Sequence, residues 1–232
     1  MSGESASNMS GVYVVIAAYN EEAVIADVLS DLGRIAPNTV VVDDGSSDGT
    51  YEAACGVSRW TLRHSVNRGQ GASLQTGIEF ALRQGAEYIV TFDADGQHRP
   101  EDIPRLIEPL RSGEYDIALG SRFLGSAINL PSSRRLMLRL AVLFTRMVSG
   151  LRITDAHNGL RAMTRRAASQ VDLRLDRMAH ASELLDIIGR MKLPYCEIPV
   201  EIRYTDYSKQ KGQRLSNAPR ILFHYLLGRA MR

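Results

Sequence analysis

The sequence predicts one α/β domain built on a doubly wound, mainly parallel sheet flanked by helices, and three observations predict it. Short β-branched runs alternate with longer stretches whose apolar residues recur at helical spacing. The helical stretches stop near Gly33, Gly56, Gly85 and Gly113, the residue type that most readily closes a helix. At 232 residues the chain sits near the upper end of a single core, where two unrelated domains would be cramped.

Strands are expected at residues 12–17, 39–42, 61–64, 88–92 and 116–119, each rich in Val, Ile, Thr, Tyr or Leu. Helices are expected at 22–32, 48–55, 72–84 and 100–110, where apolar residues fall on one face. From Arg134 onward helical patterns dominate, followed by a strand at 197–204 and a last helix at 217–229. The organisation expected is a flexible tail over 1–11, a folded domain over 12–210, and a basic amphipathic helix over 211–232 that suits a membrane or partner contact.

Composition narrows the function classes. With 44% hydrophobic and 23% charged residues the chain is a folded globular one. A net charge of +2, and basic residues without an interleaved aromatic platform, speak against a nucleic-acid partner. Cys55 and Cys196 form neither a disulfide framework nor a metal-ligand spacing, which fits a reducing cytoplasm. No secretory signal is visible at the start, and the most apolar stretch, 136–148, is interrupted by Arg139 and Arg146 and falls short of the ~20 residues of a spanning helix.

In doubly wound sheets ligands bind beyond the carboxyl ends of the strands, so residues directly after a strand draw attention. Tyr19, Asn20 and Glu21 follow the first strand; Asp43, Asp44 and Gly45 the second; Asp93, Ala94, Asp95, Gly96 and Gln97 the fourth. Asp93, Asp95 and Gln97 offer the oxygen ligands that Mg²⁺ or Mn²⁺ prefers; the competing reading is a turn at Asp95-Gly96 with Asp93 capping the next helix. The run Asp43-Asp44-Gly45-Ser46-Ser47-Asp48-Gly49-Thr50 ends a strand and opens a helix, which suits a base, ribose and diphosphate, or simply a helix cap. It also matches G-x-S-x-G through Gly45, Ser47 and Gly49, although no histidine stands in a context that would complete a hydrolase triad. Asn67-Arg68-Gly69-Gln70-Gly71 is either an anion-facing glycine loop or an ordinary turn.

Taken together, these pieces resemble glycosyltransferase family 2, and within it the polyprenyl-phosphate hexose synthases. Ala18-Tyr19-Asn20-Glu21 resembles the opening donor motif, Asp43-Asp44-Gly45-Ser46 the nucleotide motif, and Asp93-Ala94-Asp95-Gly96-Gln97-His98 the metal motif. Gly120-Ser121-Arg122 is similar to the phosphate-contacting arginine segment, residues 154–161 (TDAHNGLR) to the acceptor-side motif, and Arg203 with Ser208-Lys209 to the basic segment that closes over the donor. Three positions depart from the pattern: Ala17 for a usual proline, Gln70 for a common lysine, and Asp206 for a usual glycine.

The resemblance implies a GT-A fold with C-terminal amphipathic helices. It implies donor contacts from Ala18, Tyr19, Asn20, Glu21, Asp43, Asp44, Gly45, Arg68, Gly69, Asp93, Ala94, Arg122, Arg203 and Lys209, and a Mg²⁺ or Mn²⁺ ion on Asp93, Asp95 and Gln97. Asp95, Asp155 and Arg122 are its catalytic candidates. The expected reaction is inverting transfer of a hexose from GDP- or UDP-hexose to a polyprenyl phosphate at the cytoplasmic membrane face. A glycan hydroxyl acceptor in cell-surface polysaccharide synthesis is the alternative, and a catalytically silent nucleotide-sugar binder the reading from another class. A phosphate monoester, with a second pKa near ~6, needs no strong base. A hydroxyl would need one, with Asp155 or Glu183 as candidates, although Glu183 also reads as a solvated helix residue.

Residues 134–152 hold five arginines and no acid, with Arg135, Arg139 and Arg146 within about 40° on a helical wheel. That stretch reads either as a helix for an anionic headgroup boundary or partner groove, or as a core helix with one solvated basic stripe. Since many relatives continue into transmembrane helices, the resemblance implies peripheral attachment or a separate small membrane protein.

Overall fold

The computed structural model describes residues 9–174, 179–205 and 207. Its centre is β1 (Val12–Ala18), an apolar run lying between β2 (Asn38–Asp43) and β4 (Tyr88–Asp93), both parallel to it. β3 (Trp60–Arg63) extends the sheet beyond β2. On the other side lie β6 (Arg161–Thr164), β5 (Ile117–Ile128) and β7 (Tyr195–Arg203), giving seven strands in the order β3-β2-β1-β4-β6-β5-β7. Among the described strands only β6 runs antiparallel to its neighbours.

Alternate residues of β1 serve opposite layers, as a strand's period of two requires. Val12, Val14 and Ile16 join the core formed with α1 (Ile25–Gly33) and α4 (Ile103–Arg111). Tyr13 and Val15 join the other core, with α3 (Gln70–Arg83) and α7 (Ala179–Met191). α3 lies so close that Gly77 has no room for a Cβ against the Val15 side chain. α2 (Thr50–Cys55), α5 (Ser132–Ser149) and the short α6 (Arg165–Ala168) are the other helices among the described residues, and a 3₁₀ turn at Pro100–Asp102 leads into α4.

The expected strands and helices of the first half are all present. α1 starts three residues late because the amides of Glu21 and Glu22 are drawn to Thr50 Oγ1 (2.7 Å) and Asp48 Oδ2 (3.3 Å). β5 continues well past the expected end at Leu119, through a register shift between Ser121 and Ser126, and Gly125 there abuts the Val200 backbone. β6 falls where only helices were expected; it is a four-residue strand held on both edges. Met9 is already buried in the core, before residue 12 where the folded part was expected to begin. The expected helix at 217–229 lies outside the described residues.

The chain leaves β1 toward β2 on one side and reaches β4 on the other, so the sheet order reverses beside β1. Ala18 pairs with Asp43 and Ala17 with Asp93, which sets the carboxyl ends of β1, β2 and β4 side by side at that reversal.

Candidate active site

The loop after β1 and the loop after β2 are laced together. Asn20, with φ of 54°, donates its amide to Ser46 Oγ (2.9 Å) and accepts the Ser47 amide on Oδ1 (2.9 Å). Asp43 is fully buried; it pairs with Arg63 Nε (3.1 Å) and accepts the Ser46 amide. Gly45 holds φ of +72°, and a Cβ there would strike the Val66 backbone, so the turn after β2 requires glycine. Ala18 is buried and its carbonyl accepts the Asp44 amide (2.8 Å). Tyr19 is 45% exposed over this edge, and the Arg68 side chain is exposed.

Asp44 is buried and its oxygens are committed. Oδ1 meets His64 Nδ1 (2.8 Å) and the Arg68 amide (2.9 Å), and Oδ2 takes the Gly69 amide (2.7 Å). Asp44 thereby clamps the glycine loop. The next residue, Gln70, donates Nε2 to Asp93 Oδ1 (3.1 Å). Asp44, Gly69, Gln70 and Asp93 thus form one hydrogen-bonded chain from the end of β2 to the end of β4.

Asp93 Oδ2 is paired with His98 Nε2 (2.9 Å), whose ring stands edge-on to Phe92. Burial alone would raise the Asp93 pKa, but the His98 hydrogen bond and charge, with His180 and Arg161 nearby, outweigh it and hold the pKa below the usual carboxylate value. Asp95 behaves oppositely. Burial, then the Asp93 charge, push its pKa up to about 6. Its two oxygens are held by the backbone amide of Gln97 (Oδ1, 3.1 Å) and the Gln97 side-chain amide (Oδ2). Ala94 is buried between them.

Among the described residues no group of three or more His, Cys, Asp or Glu side chains is arranged to hold a metal by itself. The donor set nevertheless fits Mg²⁺ or Mn²⁺, which are bound through one or two carboxylates with substrate phosphates completing the shell. Asp95 carries the uncompensated negative charge that a divalent cation neutralises, and Gln97 has only to turn its amide to present oxygen.

A third group stands beside Asp93. Arg122, at 7% exposure, donates Nε to Asp155 Oδ2 (2.6 Å), Nη1 to Tyr204 Oη (2.5 Å) and Nη2 to the His157 carbonyl (2.8 Å). Asp155 also accepts the Arg122 and His157 amides (3.1 and 3.2 Å). Glu197 on β7 fixes this loop by accepting the Thr154 amide (2.7 Å), the Thr154 hydroxyl (2.9 Å) and the Asp155 amide (3.2 Å). The same loop brings Gly159 onto Asp93, where a Cβ would overlap the carboxyl group, while the Gly159 carbonyl accepts from Thr91 Oγ1 (2.7 Å). Arg161, buried and with its pKa lowered to about 10 by that burial, lies between Asp93, Asp155 and Arg122.

The structure therefore gathers Asn20, Glu21, Asp43, Asp44, Asp93, Asp95, Gln97, Arg122 and Asp155 at one end of the sheet. Glu21 is close enough to add to the raised pKa of Asp95, and its Oε2 accepts from Tyr207 Oη (2.8 Å). Arg203 donates its amide to the Gln97 carbonyl (3.0 Å), but its side chain is exposed and turned to Glu201 (2.7 Å). Lys209 lies outside the described residues. Glu183 is not solvated: it is buried and receives the Arg174 amide on both oxygens (3.1 Å). Sequence reasoning missed the roles of His98, Gly159, Arg161, Glu197 and Tyr204; of these, His98, Gly159 and Arg161 stood inside motifs and offered a signal, while Glu197 and Tyr204 offered none.

Residues 13–172 match the family model described as Glycosyl transferase family 2. The chain is 31% identical to the UDP-N-acetylglucosamine--dolichyl-phosphate N-acetylglucosaminyltransferase of Methanococcus voltae, covering 93% of this chain and 95% of that protein. It is 34% identical to the undecaprenyl-phosphate mannosyltransferase of Micrococcus luteus, over 70% of each. Among solved structures it resembles glucosyl-3-phosphoglycerate synthase from Mycobacterium tuberculosis, crystallised with Mn²⁺ and UDP-glucose, with a TM-score of 0.74 at 20% identity over 99% of this chain and 83% of that one.

Proposed function

The chain belongs to glycosyltransferase family 2, and on that premise we propose that it transfers a hexose from a nucleotide-sugar to the phosphate of a polyprenyl phosphate, with inversion at the sugar carbon. The donor is a GDP- or UDP-hexose. A Mg²⁺ or Mn²⁺ ion held by Asp93, Asp95 and Gln97 would supply charge neutralisation for the departing nucleoside diphosphate. The named relatives that act on dolichyl and undecaprenyl phosphates support this reading.

One observation carries the choice of acceptor: both candidate bases are committed elsewhere. Asp155 is ion-paired with Arg122, and Glu183 caps the Arg174 amide. A hydroxyl acceptor would need its proton removed; a phosphate oxygen is already ionised at neutral pH. Asp155 then acts as a positioning residue. Three of the five N–H groups of Arg122 are used by Asp155, Tyr204 and the His157 carbonyl, and the two others are the ones we assign to phosphate oxygens. The bond from Tyr207 to Glu21, and that from the Arg203 amide to the Gln97 carbonyl, support a role for these residues, at and just after the end of β7, beside the loops proposed to hold the donor.

The reaction takes place at the cytoplasmic face of the membrane, where such a lipid presents its phosphate. No described helix is long and apolar enough to cross a membrane. The test is a panel of nucleotide-sugars with Mn²⁺, offered a short polyprenyl phosphate, the matching polyprenol, and a free hexose, and read by mass spectrometry. Sugar attached to the polyprenyl phosphate alone is expected; transfer to the polyprenol or the hexose at a comparable rate would overturn the acceptor assignment.

A further inference from the structure

α5 buries only Leu138, Val142 and Thr145, while Leu136, Leu140, Leu143 and Met147 are 61, 59, 55 and 71% exposed. Those four positions recur at i, i+4, i+7 and i+11, which places them within about 60° of each other on the wheel and roughly opposite the buried stripe. Exposed Arg135 and Arg139 run alongside them. A core helix with one solvated basic stripe would have kept its leucines inside, so that expectation does not hold: this helix has a second apolar face turned outward.

We propose that this outward face docks the protein on an anionic lipid bilayer, with the leucines and Met147 entering the headgroup boundary and Arg135 and Arg139 meeting lipid phosphates. The charge decides the occupant. Five arginines without an acid over residues 134–152 would repel a second copy of the same helix, whereas an anionic surface attracts them. The position suits the site as well. Arg134, at the start of α5, stacks over the Tyr204 ring at 5.0 Å, and Tyr204 in turn holds Arg122. The start of α5, on the side away from that apolar face, therefore lies two side chains from the phosphate-binding arginine. The inference rests on the lipid-acceptor reading for its purpose only, since bilayer docking needs no polyprenyl phosphate.

Flotation of the full chain tests it, with vesicles of phosphatidylcholine alone or mixed with phosphatidylglycerol, neither containing polyprenyl phosphate. The wild type is expected to float with the anionic vesicles at low salt and to be released at high salt. Leu140→Glu/Met147→Glu is expected to lower the bound fraction at least tenfold, and Arg135→Ala/Arg139→Ala by about fivefold per arginine. Neither double variant should change the melting temperature, because both alter exposed residues. A wild type that stays in the soluble fraction, or variants that float like it, would overturn the proposal. So would a melting temperature lowered by Leu140→Glu/Met147→Glu, which would mean that another part of the chain covers the face, or a wild-type dimer that this variant converts to monomer, which would make it a contact between copies. If flotation holds and no sugar reaches a polyprenyl phosphate, the acceptor assignment alone fails.

Discussion

Asp93 and Asp95 stand two residues apart, yet replacing each by its amide should move stability in opposite directions. Asp95 has a raised pKa of about 6 against an ordinary 3.8, caused by burial and by the Asp93 charge. Below pH 3.8 both folded and unfolded chains carry the proton, so the shift has no effect. Between 3.8 and 6 the unfolded chain releases it first and stability falls with rising pH; above 6 the whole cost is present. Two pKa units correspond to about 3 kcal/mol, and because the side chain is only partly shielded from water we take about 1–2 kcal/mol as the amount Asp95→Asn returns at pH 7. The backbone amide of Gln97 keeps its acceptor, and the Gln97 side chain can flip to accept from the new amide. A gain of about 2–6 °C in melting temperature follows for a domain of this size.

Asp93 is the reverse case, since His98 holds its pKa down. Asp93→Asn removes a charge-assisted bond at 2.9 Å and should lose about 1–3 kcal/mol. Both variants should lose at least about a hundredfold in kcat/KM, equivalent to about 2.7 kcal/mol of transition-state stabilisation. The measurement is urea unfolding in EDTA at pH 7 and pH 3.5, with transfer assayed separately. If the two variants shift stability with the same sign at pH 7, or if the Asp95→Asn gain persists at pH 3.5, the charge argument for this crevice is wrong.

Gly159→Ala places a methyl group into the Asp93 carboxyl group, so it should cost about 1–3 kcal/mol in thermal unfolding and reduce transfer as Asp93→Asn does; wild-type activity would show that the loop does not rest on that carboxylate. His157 is kept neutral by burial, which lowers its pKa to about 4. The unfolded chain therefore takes up a proton at this position as pH falls from 6.5 toward 4, and up to about 3 kcal/mol of stability should drain away over that window. His157→Gln should flatten that part of the stability–pH curve, and an unchanged slope would assign the loss to other groups.

Much of the fold was legible because it rests on periodicity. A buried parallel strand such as β1 needs an unbroken apolar run, and the helices that cover it need one apolar stripe; both leave a direct trace. β6 left none, because a four-residue antiparallel strand between two others is fixed by its neighbours, and Arg161-Ala162-Met163-Thr164 has no pattern of its own. The carboxylates of the site were legible from their place after strands, but their duties were not. Asp44 reads as a nucleotide ligand in one dimension, and only the fold shows the Arg68 and Gly69 amides arriving on it from a loop 24 and 25 residues later. Tyr204 and Glu197 were out of reach for the same reason: their partners Arg122 and Thr154 lie 82 and 43 residues away.

The departure at position 70 ties these observations together. A lysine there, as is common in the family pattern, would bring a full positive charge toward Asp93 from the glycine loop. Gln70 brings a neutral amide at 3.1 Å, so the charge compensation of Asp93 falls to His98, His180 and Arg161 on the opposite side. His98 is anchored by the backbone bridge to Ile202 on β7, and Arg161 by the Asn158 carbonyl (2.9 Å), so that compensation is part of the folded scaffold. Only the His98 part of it reaches Asp95, where burial and the Asp93 charge outweigh it. The site thus keeps one carboxylate satisfied by protein and one whose charge is not, and under the proposed function the second is where an ion arriving with a diphosphate would gain most.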